Sequence, residues 1–211
     1  DTWLFWDKYQ AYEAAEHFTY PVVFKLTAGA GSANVIKVEN KQKAFELIWR
    51  AFEKGIFPYT FNEFARKPGI PRSMAEVNRL AHRVKDAFRY IWRSDYPPLH
   101  PVWWKPDFGY AYFQEFIPDN SFDTRVSIIG KRAFAFQRLN RPNDFRASGS
   151  GKLLFDPEKI DLRCLKIALQ ISGQAHFQSM AYDFLFKNNS QPVITEISYT
   201  YQDKAVYNCP G

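Results

Sequence analysis

The stretch PVVFKLTAGAGSANVIKV, residues 21 to 38, constrains the chain most. Val22, Val23 and Phe24 form a strand-like run that ends on Lys25. Gly29 and Gly31 interrupt the run, and Val35, Ile36 and Val38 resume it. Glycines after a strand let backbone N–H groups approach an anion such as phosphate, because no Cβ stands in the way. A Walker-type loop places its lysine after the glycines, where a helix opens. Here the lysine precedes them and a second strand follows. The unit is strand–loop–strand: either a phosphate-holding hairpin, with Ser32 as a further donor, or an ordinary hairpin with a glycine turn.

The segments on either side alternate in character. FWDKYQAYEAAEHF reads as a short helix with Phe5, Tyr9, Tyr12 and Ala15 on one face. NKQKAFELIWRAFE reads as a helix capped by Asn40, with Phe45, Ile48, Trp49 and Phe52 on its apolar face. Gly55, Pro58, Pro68, Gly69 and Pro71 mark a loop. Ser73 and Glu76 then form a capping box ahead of a helix that runs to Arg93. From residue 110 short strands take over: YAYFQEFI, TRVSIIG and RAFAFQRL. A glycine loop, RASGSGK, and a helix near 158–172 follow. SMAYDFLF and PVITEISY close the chain as strands joined by KNNSQ, a hairpin. The expected class is α+β, with a small lobe over 1–53, a helical insert over 54–109 and a larger lobe over 110–211.

At 211 residues the chain can bury a core, as one domain or as two lobes. No apolar run reaches the length of a membrane span. Two cysteines, Cys164 and Cys209, are too few for a disulfide framework. Cys164, in an apolar helical run, reads as a buried small residue. These features predict a reducing, cytoplasmic setting. The net charge of +6 is concentrated: residues 66–93 carry eight basic and two acidic side chains, and the remainder balances. That basic helix face reads as a solvated surface or as a docking site for an anionic acceptor. Its aromatic residues form no stacking platform for nucleic acid. His17, His82, His100 and His176 show no metal-ligand spacing.

Four blocks in order then carry a resemblance: the 21–38 unit, QEFIPDNSFDTRVSIIG, AFQRLNRPNDFRASGSG and MAYDFLFKNNSQPVITEIS. Together they resemble the ATP-grasp superfamily over nearly the whole chain. The nearest likeness is the branch containing glutathione synthetase and the ribosomal-protein glutamate ligases. The resemblance implies an ATP-grasp fold of two α+β lobes with the nucleotide between them. It also implies ATP and Mg²⁺ as cofactors.

The implied site is as follows. Lys25, Gly29, Gly31 and Ser32 would hold the phosphates. Gln114 and Glu115, with the backbone of Phe116 and Ile117, would form the adenine segment, and Asp123 would accept the ribose hydroxyls. Arg125, Arg138 and Arg146 would stabilise the transferring phosphoryl group, a task suited to fork-shaped, always-charged guanidiniums. Asp183 and Glu196 would bind Mg²⁺, a hard cation that takes one or two carboxylates and completes its shell with phosphates and water. Ser198 stands where the family has an asparagine ligand, and Ala147 and Ser148 replace the residues usual after the loop arginine.

The implied activity is ligation of a carboxylate to an amine through an acyl phosphate, on a small-molecule, glycan or peptide acceptor of anionic character. Surface-polysaccharide synthesis is the implied setting. Two other classes stay open: a phosphotransferase and a non-catalytic nucleotide-binding domain. The resemblance further suggests that the chain is the ATP-grasp portion of a longer protein.

Overall fold

A computed structural model describes residues 1–27, 35–56, 106–188 and 190–210. The glycine loop with Gly29, Gly31 and Ser32, and the basic helix expected over 73–93, lie outside the described residues. The chain divides into two compact units, Asp1–Phe116 and Ile117–Gly211.

In the first unit β1 (Thr2–Phe5), β2 (Val22–Lys25), β3 (Val35–Val38) and β4 (Ala111–Glu115) form an antiparallel sheet in the order β1-β4-β2-β3. Strand alternation turns Val22 and Phe24 toward the two helices α1 (Lys8–Glu16) and α2 (Lys41–Glu53). Phe24 is paired with Phe113, and their rings meet edge-on at 5.2 Å. Burying each ring contributes about 1.5–3 kcal/mol. Asp7 caps α1 through the Gln10 N–H and Asn40 caps α2 through the Lys43 N–H, each satisfying a donor that the first helical turn leaves open.

The buried helix faces are set by small residues. Ala11 and Ala15 on α1, and Ala44, Leu47, Ile48 and Ala51 on α2, face the core. Tyr9 and Trp49, which the hydrophobic pattern assigns to those faces, are exposed. Alanines let the helix backbones come close to the sheet and to each other. A large ring at the same place would hold them apart. Tyr12 and Phe45 instead flank the seam, with ring centroids 4.8 Å apart. β4, grouped above with the larger lobe, is hydrogen-bonded between β1 and β2 in the first sheet.

In the second unit the order is β7-β6-β5-β8-β9, all antiparallel: β5 (Phe122–Ile129), β6 (Arg132–Leu139), β7 (Leu153–Leu154), β8 (Ser179–Lys187) and β9 (Gln191–Ser198). Helix α3 (Leu162–Gln174) covers one face. Cys164 and Ala168 of α3 pack against Val126 and Ile128 of β5 and Tyr182 and Phe184 of β8. The Ser172 and Tyr182 hydroxyls satisfy each other at 2.7 Å inside this layer. α3 continues through Gly173, where the sequence suggests a stop.

Candidate functional site

The odd-numbered residues of β5 and β8 point away from α3. Asp123 and Arg125 on β5 and Asp183 on β8 therefore share the opposite sheet face. Pairing sets Arg138 of β6 beside Asp123, and Arg125 beside Asp183. The charges close into a chain. Arg125 donates Nε to Asp183 Oδ1 at 2.6 Å and Nη2 to Oδ2 at 2.7 Å. Arg138 grips Asp123 with Nε and Nη2, both at 2.7 Å, and Nη2 also reaches Asp183 Oδ2 at 2.6 Å. Asp183 and Arg138 are almost fully buried, at 4% and 6% exposure. Burial pushes the Asp183 carboxyl up, but the Arg125 hydrogen bonds and the two guanidinium charges outweigh it and hold the carboxyl below its ordinary range.

Glu196 joins this face through an irregularity. Asp183 is opposite Glu196, whereas the next residue, Phe184, is opposite Ile194, leaving Thr195 as an extra residue in β9. In an unbroken strand Ile194 and Glu196 would point the same way. The bulge separates them, so Ile194 packs against the α3 core and Glu196 stands beside Asp183 on the charged face. Thr195 anchors the bulge by donating its hydroxyl to the Asp183 carbonyl at 3.2 Å. The sequence carries a trace of this: Ile194 and Ile197 are three apart, which breaks the strand period of two.

Glu196 is exposed and makes no ion pair among the described residues. Asp183 and Glu196 thus supply two carboxylates on one face. Asp183 Oδ2 accepts from both arginines and Oδ1 only from Arg125, which leaves an acceptor position on Oδ1. This donor set fits a hard divalent cation that completes its shell with phosphate and water. No cluster of three His, Cys, Asp or Glu occurs among the described residues. The Ser198 hydroxyl donates to the Thr200 carbonyl at 2.7 Å.

The remaining residues fall elsewhere. Arg146 is not in the charged chain: its guanidinium forks onto Asp144 within its own loop, with Nη2 at 2.7 Å. The Arg141 Nη2 closes that loop on the Ser148 carbonyl at 2.6 Å. In the first unit, Lys25 pairs with Val35 and Tyr112, and Gln114 pairs with Val23 and Thr2. Alternation puts Lys25 and Gln114 together on the sheet face away from α1 and α2. Gln114 Nε2 meets the Thr2 hydroxyl at 3.3 Å, and the Lys37 ammonium sits 4.6 Å above the Phe116 ring. Nothing in the sequence pattern singles out Lys37, Asp144 or Asn120. Asn120 in particular sits in PDNS, where it resembles an ordinary turn residue.

No protein-family model matches the sequence, and no curated protein is significantly similar to it. Solved structures do match. An RiPP-associated ATP-grasp ligase from Chryseobacterium gregarium, in complex with ADP and a leader and core peptide, superposes with a TM-score of 0.54 at 14% identity. The match covers 99% of this chain and 49% of that one. The ATP-grasp ligase PsnB with a minimal precursor gives 0.52 at 12% identity, over 98% of this chain and 48% of that one. Biotin carboxylase from Campylobacter jejuni, as a β-γ-ATP complex, gives 0.51 at 14% identity, over 93% and 35%. This chain spans less than half the length of each. It has the ATP-grasp fold, in the α+β class.

Proposed function

We propose that the chain binds ATP with Mg²⁺ and drives the ligation of a carboxylate to an amine. In this reading the γ-phosphoryl group moves to a carboxylate oxygen, giving an acyl phosphate and ADP. The amine then attacks the acyl carbon, loses its proton and expels phosphate. Lys25 and the 28–32 loop hold phosphate. Gln114, Glu115 and the backbone of Phe116 and Ile117 take the adenine edge. Arg125 faces the transferring group from the Asp183 side of the sheet, and Arg146 would have to leave Asp144 to join it.

The observation that carries the reading is the bulge of β9, which sets Glu196 beside Asp183 within an ATP-grasp fold. Asp183 and Glu196 would hold Mg²⁺, whose charge neutralises the phosphates during transfer. The chain's own contribution is to keep Asp183 ionised with Arg125 and Arg138, and to keep Arg125 on the same face. The compared ligases that carry precursor, leader or core peptides support a peptide acceptor. A sugar acid or amino sugar of a bacterial surface polysaccharide is the setting the sequence resemblance adds.

A second reading, nucleotide binding without catalysis, is favoured by Ser198 itself, which stands where the resemblance places an asparagine ligand. Thermal unfolding with ATP, ADP, AMP and GTP, with and without Mg²⁺, separates the two once phosphate release is followed with candidate acceptors. A ligand at 100 times its Kd stabilises the folded state by about 2.7 kcal/mol, which raises the melting temperature by about 5–10 °C. A magnesium-dependent ATP shift that Lys25→Ala and Glu196→Ala abolish, with acceptor-dependent phosphate release, supports the ligase. A shift without turnover under any acceptor supports the second reading. No shift in wild type removes both.

A further inference from the structure

We infer that Asn120 is a positioning residue for the nucleotide base, an inference that rests on the nucleotide-binding reading above. Its carboxamide works as a substitute strand residue. The β5–β8 ladder ends with Thr124 opposite Phe184, so the next hydrogen-bonding position on β8, Phe186, has no partner strand in that register. Asn120 supplies one. The Phe186 N–H donates to Asn120 Oδ1 at 2.8 Å, and Asn120 Nδ2 donates to the Phe186 carbonyl at 3.0 Å. This is the two-way exchange of an antiparallel pair, made with a side chain.

The second Nδ2 hydrogen goes to the Pro118 carbonyl at 2.8 Å. Both donors of the amide are therefore used, one on the sheet and one on the segment that leads into it. On the other side, the Asn120 carbonyl accepts from Asn140 Nδ2 at 2.7 Å, and the Asn140 N–H donates to the Ser121 carbonyl at 2.9 Å. Residues 118–121 are thus fastened to the end of β8 and the end of β6 together. Asp119 between them turns the chain with a φ of 61°, a left-handed conformation that a non-glycine residue holds only when its surroundings fix it.

Ile117, the first residue of this unit and almost fully buried, is the backbone position proposed for the adenine edge. It is followed directly by the fastened carbonyl of Pro118. A base read by backbone groups is read only as well as that backbone is placed, since loops are less exact supports than strands. Asn120 converts the loop after Ile117 into an extension of the sheet, and so fixes where the base-reading backbone begins.

The test compares wild type, Asn120→Ala, Asn120→Asp and Ser172→Ala in the full 211-residue chain, each confirmed folded by circular dichroism. Asn120→Asp keeps the acceptor for the Phe186 N–H and loses both donations. Ser172→Ala breaks the buried Ser172–Tyr182 bond in the same unit without touching residues 117–121. Binding of ATP, adenosine and inorganic tripolyphosphate is measured by calorimetry with Mg²⁺ present. Both Asn120 variants should weaken ATP and adenosine about tenfold and leave tripolyphosphate unchanged. Ser172→Ala should lower the melting temperature and leave all three affinities alone. Equal loss for ATP and tripolyphosphate, or no loss of ATP affinity in either Asn120 variant, overturns the inference while the ATP site stands. Wild type that binds no ATP removes the functional reading and this inference with it.

Discussion

The two faces of the second sheet are made by alternate residues of the same strands, and each buries residues at its centre. Toward α3, Val126, Ile128, Tyr182 and Phe184 form an ordinary apolar layer. On the other side, Asp123, Arg125, Arg138 and Asp183 alternate in sign. Burial acts on ionisable groups against both faces with opposite results. Against the apolar face, burial pushes the Cys164 thiol up to about 12. On the charged face it also opposes ionisation of Asp183, yet the guanidiniums hold that carboxyl low. Two guanidiniums outweigh burial at Asp183, whereas at Asp123, which has Arg138 alone, burial prevails and raises the carboxyl. The strand period of two keeps the faces apart, and a slip of one residue would turn both inside out.

The comparison breaks most severely at Asp183. Replacing it with alanine strands Arg125 without its partner and leaves Arg138 with Asp123 alone. Removing one member of a buried ion pair costs about 3–5 kcal/mol. Chemical denaturation should show a loss of that size. Replacing the buried members together, as Asp123→Leu, Arg138→Met and Asp183→Leu, should recover most of the stability, because apolar groups of similar volume often match buried charges. Magnesium-dependent ATP binding should be lost in both variants. If the triple variant kept that binding, the charged face would be a structural device only.

The same alternation explains what could be read in advance. Strands β2, β3, β5, β6, β8 and β9 follow from their apolar patterns, and the placement of Glu196 and Ser198 on one face needs only the period of two. Four things did not follow, or followed only in part. Phe5, which the pattern assigns to the first helix, ends strand β1, and the helix begins only at Lys8. The helix faces follow in part: Ala15 and Ile48 are buried as the pattern implies, but Tyr9 and Trp49 are exposed and Ala11, Ala44 and Ala51 are buried, because alanine carries little hydrophobic weight yet permits the closest approach. β4 was grouped with the wrong sheet because periodicity marks a strand but not its neighbour. The Asp123–Arg138–Asp183–Arg125 chain depends on β6, β5 and β8 lying side by side, and no local pattern states that. Its individual members were legible as charged residues in strands, but not as one another's partners.

The apolar face gives a smaller effect, with a defined sign. The unfolded Cys164 thiol ionises near 8.5, whereas the folded one stays neutral until about 12. A raised folded pKa contributes stability that is fully present below about 8.5 and is lost as pH climbs toward the folded value. The loss approaches about 1.4 kcal/mol per pH unit well inside that window. Urea midpoints of wild type and Cys164→Ala, compared from pH 7 to 10.5, should show the steeper alkaline decline in wild type. Subtraction removes the tyrosines and lysines common to both. Parallel curves would mean that the thiol reaches water and that the layer under α3 is looser than its contacts indicate.

The smallest change in stability belongs to Glu196, and it bears hardest on function. The carboxylate is exposed and has no ion pair among the described residues, so Glu196→Gln should leave unfolding free energy within about 0.5 kcal/mol of wild type. The amide keeps the length and shape of the side chain and removes one negative charge beside Asp183. ATP should then raise the melting temperature equally with and without Mg²⁺, whereas the proposed site predicts a larger shift with the metal in wild type. A retained magnesium increment would place the cation away from this face. The bulge at Thr195 would then serve only to bring Ile194 onto the core. A lost increment with unchanged stability would mean that the irregularity in β9 exists for the side chain it turns outward.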